Sequence, residues 1–91
     1  MPYVLAAYDI SDDRVRERAA AKLLSLGFVR VQKSVYIARG GRSLAKDAWR
    51  AVAPLLGEGD RLLIIVVPRE ALENALVRGE RNWLPKTHII V

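Results

Sequence analysis

The chain has no cysteine and a single histidine, His88, in 91 residues. Disulfides and zinc–thiolate sites are excluded, and a His-rich metal site finds no support. The longest apolar run, Leu62 to Val67, is far shorter than the roughly 20 residues that cross a bilayer. No signal-peptide pattern precedes the first strand, so the expectation is a cytoplasmic protein with no membrane partner. Aromatics make up only 7% of the chain, which argues against base stacking as its main mode of binding. No glycine-rich loop opens a helix, and a small-ligand regulatory domain is poorly supported for that reason. Acids are outnumbered by bases, 10 to 15, for a formal net charge of +5. That balance favours an anionic partner, nucleic acid being the commonest, although a solvated basic surface with no specific partner carries the same charge.

What is present is hydrophobic patterning of high density, 52% of residues. Tyr3 to Ile10 is apolar on both faces, with Tyr3, Leu5, Ala7 and Asp9 on one side and Val4, Ala6, Tyr8 and Ile10 on the other. Such a strand is covered on both sides, and Asp9 closes one of its faces. Ser11 or Asp12 caps the next helix, Asp13 to Leu26, which Gly27 stops. Its apolar stripe is Val15, Ala19, Ala20, Leu23 and Leu26, with Arg16 set inside it. An arginine there needs an anion, with Asp9 or a bound phosphate as the expected partner, or else it snorkels to water. Phe28–Gln32 and Ser34–Arg39 read as two strands joined by a tight turn or as one kinked strand. Ser43 caps a second helix, Leu44 to Leu56, whose last turn Pro54 disturbs. Leu62–Val67 is again apolar on both faces. The tail reads as a short helix from Arg69 to Val77 with Ala71, Leu72, Ala75 and Leu76 inward, a polar linker from Glu80 to Lys86, and a last strand, Thr87–Val91.

The order β-α-β-β-α-β plus a terminal strand predicts one α+β domain, a ferredoxin-like antiparallel sheet with both helices on one face. Its core runs over about residues 2–67, and the tail, 68–91, docks on a partner subunit. Right-handed crossovers are expected to put the first and fourth strands in the centre. Two helices cover only one face, so the other calls for a second copy, a face-to-face homodimer with strand ends near its two-fold axis. The terminal strand is expected to add to the partner's sheet edge.

A dimer makes two carboxylates of one Asp9. Such a pair suits Mg²⁺ or Mn²⁺, which take oxygen ligands, and an ion there acidifies a water and polarises a phosphodiester. Arg16, Arg18 and Arg30 are candidates to hold flanking phosphates, and Ser34 or Tyr36 to orient water or phosphate. Asp9 as an Asx turn capping the helix is the plain alternative. Lys33, Arg39 and Arg42 cluster around one strand and its exit, which suits a duplex tracked by its backbone, or they are solvated surface charges. His88 reads as structural or exposed.

Tyr8-Asp9-Ile10-Ser11-Asp12-Asp13, then Arg16 and Arg18, then Arg30-Val31-Gln32-Lys33-Ser34-Val35-Tyr36, resemble the CRISPR-associated Cas-two family. The resemblance runs from residue 3 to about 67. It implies a ferredoxin-like homodimer with facing sheets, Asp9 as metal-binding and catalytic acid paired with its symmetry mate, and Mg²⁺ as the metal. It implies nucleic-acid or phosphate contacts at Arg16, Arg18, Arg30, Lys33 and Ser34, with Tyr8 and Tyr36 as auxiliaries. It further implies a part in spacer acquisition beside the Cas-one integrase. Members act as metal-dependent endonucleases on RNA or DNA, or as duplex-DNA scaffolds that cut nothing. Lys33 stands where an aromatic is common, and Tyr36 where phenylalanine is.

Overall fold

A computed structural model describes residues 1–80 and Trp83. Along the chain run β1 (Tyr3–Asp9), α1 (Asp13–Ser25), β2 (Val29–Gln32), β3 (Val35–Arg39), α2 (Arg42–Val52), β4 (Arg61–Val67) and α3 (Arg69–Glu73). The strands form one antiparallel sheet in the order β2-β3-β1-β4. This is the ferredoxin-like arrangement the element order implies. One expectation is corrected: the central strands are β1 and β3, and β4 is an edge. Each helical crossover skips a strand, α1 carrying the chain past β3 and α2 carrying it past β1. β4 is apolar on both sides because Leu62 and Ile64 pack into the core under the helices, while Leu63 and Ile65 look the other way, not because strands flank it. The terminal strand expected at Thr87–Val91, with His88, lies outside the described residues.

Local chemistry explains the boundaries. Asp12 caps α1, its carboxylate accepting from the Val15 N–H at 3.0 Å. At the other end Gly27 takes φ 94°. The Phe28 N–H then donates to the Leu23 carbonyl at 3.1 Å and the Gly27 N–H to Leu24 at 3.0 Å, closing the helix with a left-handed glycine. α2 starts earlier than expected, at Arg42 after Gly41, and no side chain caps it, so Ser43 is not its cap. Pro54 lacks an N–H, and the last turn tightens into a 3-10 turn, Ala53–Leu55. β2 and β3 are separate strands joined by Lys33-Ser34. Neither turn residue adopts positive φ, and the irregularity falls instead on a bulge between Arg30 and Gln32.

Val4, Ala6, Tyr8 and Ile10 meet Ala19 and Leu23 of α1, Ala48 and Val52 of α2, and Phe28, Tyr36 and Ala38 in one buried core. Among the described residues, the opposite face of the sheet is covered only at one end. There Leu72 packs with Tyr3 and Ile37, bordered by Val31, Val67 and Trp83. α3 is shorter than expected because Asn74 turns back and its side-chain amide donates to the Glu70 carbonyl at 2.8 Å. Leu76, expected inward, is fully exposed. The rest of that face stays open, with Val29 50%, Leu63 56% and Ile65 45% exposed.

Candidate functional site

Asp9 is the last residue of β1 and sits on the open face, exposed to solvent. Arg61, first residue of β4, is its cross-strand neighbour. On the other side the Tyr8 N–H donates to the Ser34 carbonyl at 3.1 Å, tying the strand end to the β2–β3 turn. The helix cap belongs to Asp12, so Asp9 is not a capping residue. Among the described residues its carboxylate makes no hydrogen bond or ion pair. Beyond it, the Ser11 N–H donates to Asp60 Oδ1 at 3.2 Å and the Gly57 N–H to Asp60 Oδ2 at 2.8 Å. One carboxylate thus pins the loop after Asp9 against the turn before β4.

Arg16 is tied to the strand exit, but not through Asp9. Its Nη1 donates to the carbonyls of Ile10 at 2.8 Å and Ser11 at 3.3 Å, and its Nη2 pairs with Asp13. Asp13 is the anion that its position inside the apolar stripe required, and the strand-end carbonyls, left without sheet partners, are neutral acceptors for its remaining donors.

Arg30 lies on the helix face, directly across from Tyr36 in the β2–β3 register. Its guanidinium carbon stands 5.5 Å from the centroid of the Tyr36 ring. Nε and Nη2 both donate to the Lys33 carbonyl, at 3.1 and 2.9 Å. Tyr36 is fully buried and its hydroxyl meets that of Tyr8 at 3.0 Å, with the rings 5.7 Å apart. Tyr36 therefore touches neither water nor substrate. Burial, then the Tyr8 hydrogen bond, push its phenol up to about 12 against the opposing pull of Arg30. It stays neutral beside the arginine at any ordinary pH. Asp13, Arg16, Glu17, Ala20, Ala21, Leu24 and Arg30 line one shallow groove between α1 and β2.

Arg18 is exposed on α1, Lys33 is exposed on the turn and Ser34 is half-buried beside it. Lys33, in the turn before β3, and Arg39, the last residue of β3, are about 20 Å of extended chain apart, so Lys33, Arg39 and Arg42 are not one cluster. The sheet also divides the expected site. Asp9 lies on the open face, whereas Arg30, Tyr8 and Tyr36 lie on the helix face. Arg61 and Asp60 were not singled out from sequence. The signal was available, since an antiparallel strand that starts just after Gly59-Asp60 sets its first residues beside another strand's end.

Within one copy and among the described residues, no three Asp, Glu, His or Cys side chains group closely enough to hold a metal. The donor at this strand end is a lone, exposed, unpaired carboxylate. That oxygen donor fits a hard divalent ion if a second copy supplies its equal and water the remainder.

Fold and site together define a small basic ferredoxin-like protein, with a free strand-end carboxylate on one face of its sheet and fixed arginines on the other. Residues 1–75 match the family described as CRISPR associated protein Cas2, and the chain belongs to that family. It is 57% identical over 80 residues to a CRISPR-associated endoribonuclease Cas2 of Aeropyrum pernix, covering 87% of each chain. It is 31% identical over 75 residues to a CRISPR-associated endonuclease Cas1/endonuclease Cas2 fusion of Thermoproteus tenax, covering 81% of this chain and 28% of the fusion. The crystal structure of a protein named cas2 superposes with TM-score 0.66 at 20% identity over 99% of this chain and 98% of that one, a likeness of fold. Among the described residues no helix is long and apolar enough to cross a membrane.

Proposed function

We propose that the protein is a dimeric, metal-dependent endonuclease of CRISPR spacer acquisition, with Asp9 as its metal-binding acid, acting in the cytoplasm beside a Cas1 integrase. The position of Asp9 carries the reading. Every other carboxylate near this strand end has an internal task, Asp12 as cap, Asp13 on Arg16 and Asp60 on the loop. Of these four described carboxylates Asp9 is the one left exposed and unpaired, at the margin of an apolar face that asks for a second copy. Relatives named endoribonuclease and a relative fused to Cas1 support the activity and the partner.

In this reading two copies join through the open faces, so that two Asp9 side chains approach one two-fold axis. α3 stays on its own sheet through Leu72, the tail beyond it continues to the partner, and a terminal strand over 87–91 would add to the partner's sheet edge. Mg²⁺, or Mn²⁺, between the carboxylates would supply Lewis-acid polarisation of a phosphodiester. The chain's own basic groups contact phosphates of the bound nucleic acid, Arg18, Lys33 and, on the helix face, Arg30, together with the donors that Asp13 and the strand-end carbonyls leave to Arg16, and Ser34 orients the strand at the turn. Asp9→Asn is expected to lower cleavage of RNA or DNA in Mg²⁺ by about 100-fold or more, the scale set by losing a group that acts on transition-state charge. If the variant cuts at the wild-type rate, the nuclease reading is wrong.

One observation favours a second reading, a duplex-binding scaffold that does not cut. Arg30 and its groove lie across the sheet from Asp9, so phosphates held there do not need the carboxylate. In that case Asp9→Asn binds duplex DNA as the wild type does. In either reading, affinity falls steeply between about 50 and 200 mM salt, and a flat response would remove the nucleic-acid assignment.

A further inference from the structure

We propose that Tyr36 is a positioning residue, whose ring, locked by the Tyr8 hydroxyl, fixes the Arg30 guanidinium in the orientation that grips a phosphodiester of bound nucleic acid. This rests on the reading above, in which arginines of the helix face hold phosphates.

Three features converge on Arg30. The ring of Tyr36 lies against its guanidinium from the facing strand position. The bulge between Arg30 and Gln32 breaks the β2 register, and a bulge re-aims the side chain beside it. The head of Arg30 curls back to the turn, where two of its N–H groups reach the Lys33 carbonyl. A guanidinium has five N–H donors, so three remain, and Arg30 is one wall of the groove. Every contact that orients it is neutral. Arg16, Arg50 and Arg69 each have an acid within ion-pair range; Arg30, like Arg14, Arg18, Arg39, Arg42 and Arg61, has none among the described residues, and it differs from those in having its head held by a ring and a carbonyl. An arginine held only for stability normally takes a carboxylate. One held by a ring and a carbonyl keeps its full charge and most of its donors for an outside anion, with the geometry fixed before binding.

Tyr8 completes the device. Its hydroxyl is the hydrogen-bond partner of Tyr36 in the core, so the ring that supports Arg30 cannot swing away about χ1 without leaving a buried phenol unpaired. Where phenylalanine replaces Tyr36, the ring face is kept and this lock is lost.

The test is the affinity of the full chain for a short duplex DNA of arbitrary sequence, titrated across salt. Arg30→Gln should weaken binding and lower the salt slope by about one unit for each Arg30 engaged. Tyr36→Leu should weaken binding about two- to five-fold, and should add nothing in the Arg30→Gln background. Tyr8→Phe/Tyr36→Phe, which keeps the ring and removes its hydroxyl lock, should bind more weakly than wild type but no more weakly than Tyr36→Leu; wild-type binding by this variant would overturn the role given to the Tyr8 hydroxyl. Unchanged binding by Arg30→Gln would overturn the phosphate reading of Arg30. Weak binding by Arg30→Gln with wild-type binding by Tyr36→Leu would overturn the positioning role alone. Should Tyr36→Leu fail to fold, the wild-type protein still decides. A resolved, slowly exchanging Arg30 Nε–H resonance is expected, and one averaged with the other arginines would refute a fixed guanidinium.

Discussion

Replacing Ile65 with lysine separates a sheet face that is merely exposed from one that another copy covers. Ile65 is 45% exposed, next to Leu5 in the register, with Leu63 at 56% two residues away. In an isolated protomer the substitution alters a half-exposed edge position and costs about 0.5 kcal/mol or less. In a face-to-face dimer the exposed half of each isoleucine is removed from water. Full burial is worth about 1.5–3 kcal/mol, so the uncovered half contributes roughly 1 kcal/mol per copy, and symmetry doubles it. Lysine forfeits that gain twice and adds two ammonium groups whose desolvation costs several kcal/mol each where they cannot reach water. Even a total of about 3 kcal/mol raises the dissociation constant by more than about 100-fold. Sedimentation or light scattering over a concentration series measures it, with circular dichroism to show that the protomer keeps its fold. Ile65→Lys that dimerises at the wild-type concentration would refute the interface, as would a wild type that is monomeric at micromolar concentration. Because paired Asp9 side chains need the dimer, cleavage should fall along with association.

Tyr8→Phe strands the buried Tyr36 hydroxyl and is expected to cost about 1–3 kcal/mol in denaturant unfolding, whereas Tyr8→Phe/Tyr36→Phe removes both partners and should recover most of the loss; equal or larger loss in the double variant would show that the hydroxyls are not coupled. The Tyr36 phenol is raised to about 12 in the fold, against about 10 when unfolded. The folded state holds this proton more tightly, so the stabilisation is complete below pH ~10 and fades as pH rises towards ~12, by roughly 1.4 kcal/mol for each pH unit between the two values. Relative to the double phenylalanine variant, the wild type should lose stability over that window, and parallel curves would contradict the assigned cause. Asp12→Ala removes the α1 cap and should cost about 0.5–2 kcal/mol, seen as a lower thermal midpoint; no change would mean that another group satisfies the Val15 N–H.

The fold was legible because its signals are local and repeated. A strand apolar on both faces, a helix opened by Asp12 and closed by Gly27, and the β-α-β-β-α-β order together specify the sheet. Strand position was harder to read. β1 and β4 share the same two-sided pattern, yet one is central and the other an edge, since a side chain's pattern records which faces are covered and not what lies at its flanks. The site was legible as residue types but not as contacts. Asp9 could be singled out from its place at the end of an apolar face. The partner of Arg16 could not, because Asp13 and two carbonyls satisfy it as well as Asp9 would, and carbonyls leave no trace in composition. Tyr36 illustrates the same limit, since its hydroxyl is engaged by a tyrosine 28 residues away in sequence.

The four-stranded sheet is also a partition. Residues alternate across it, so a substitution at Asp9 and one at Arg30 act on opposite sides of a wall of backbone, with few shared neighbours. Changes in cutting and changes in grip are thereby uncoupled at the level of single mutations. Descendants of one such sequence can abandon the chemistry of one side and keep the other intact, with no loss of fold along the way.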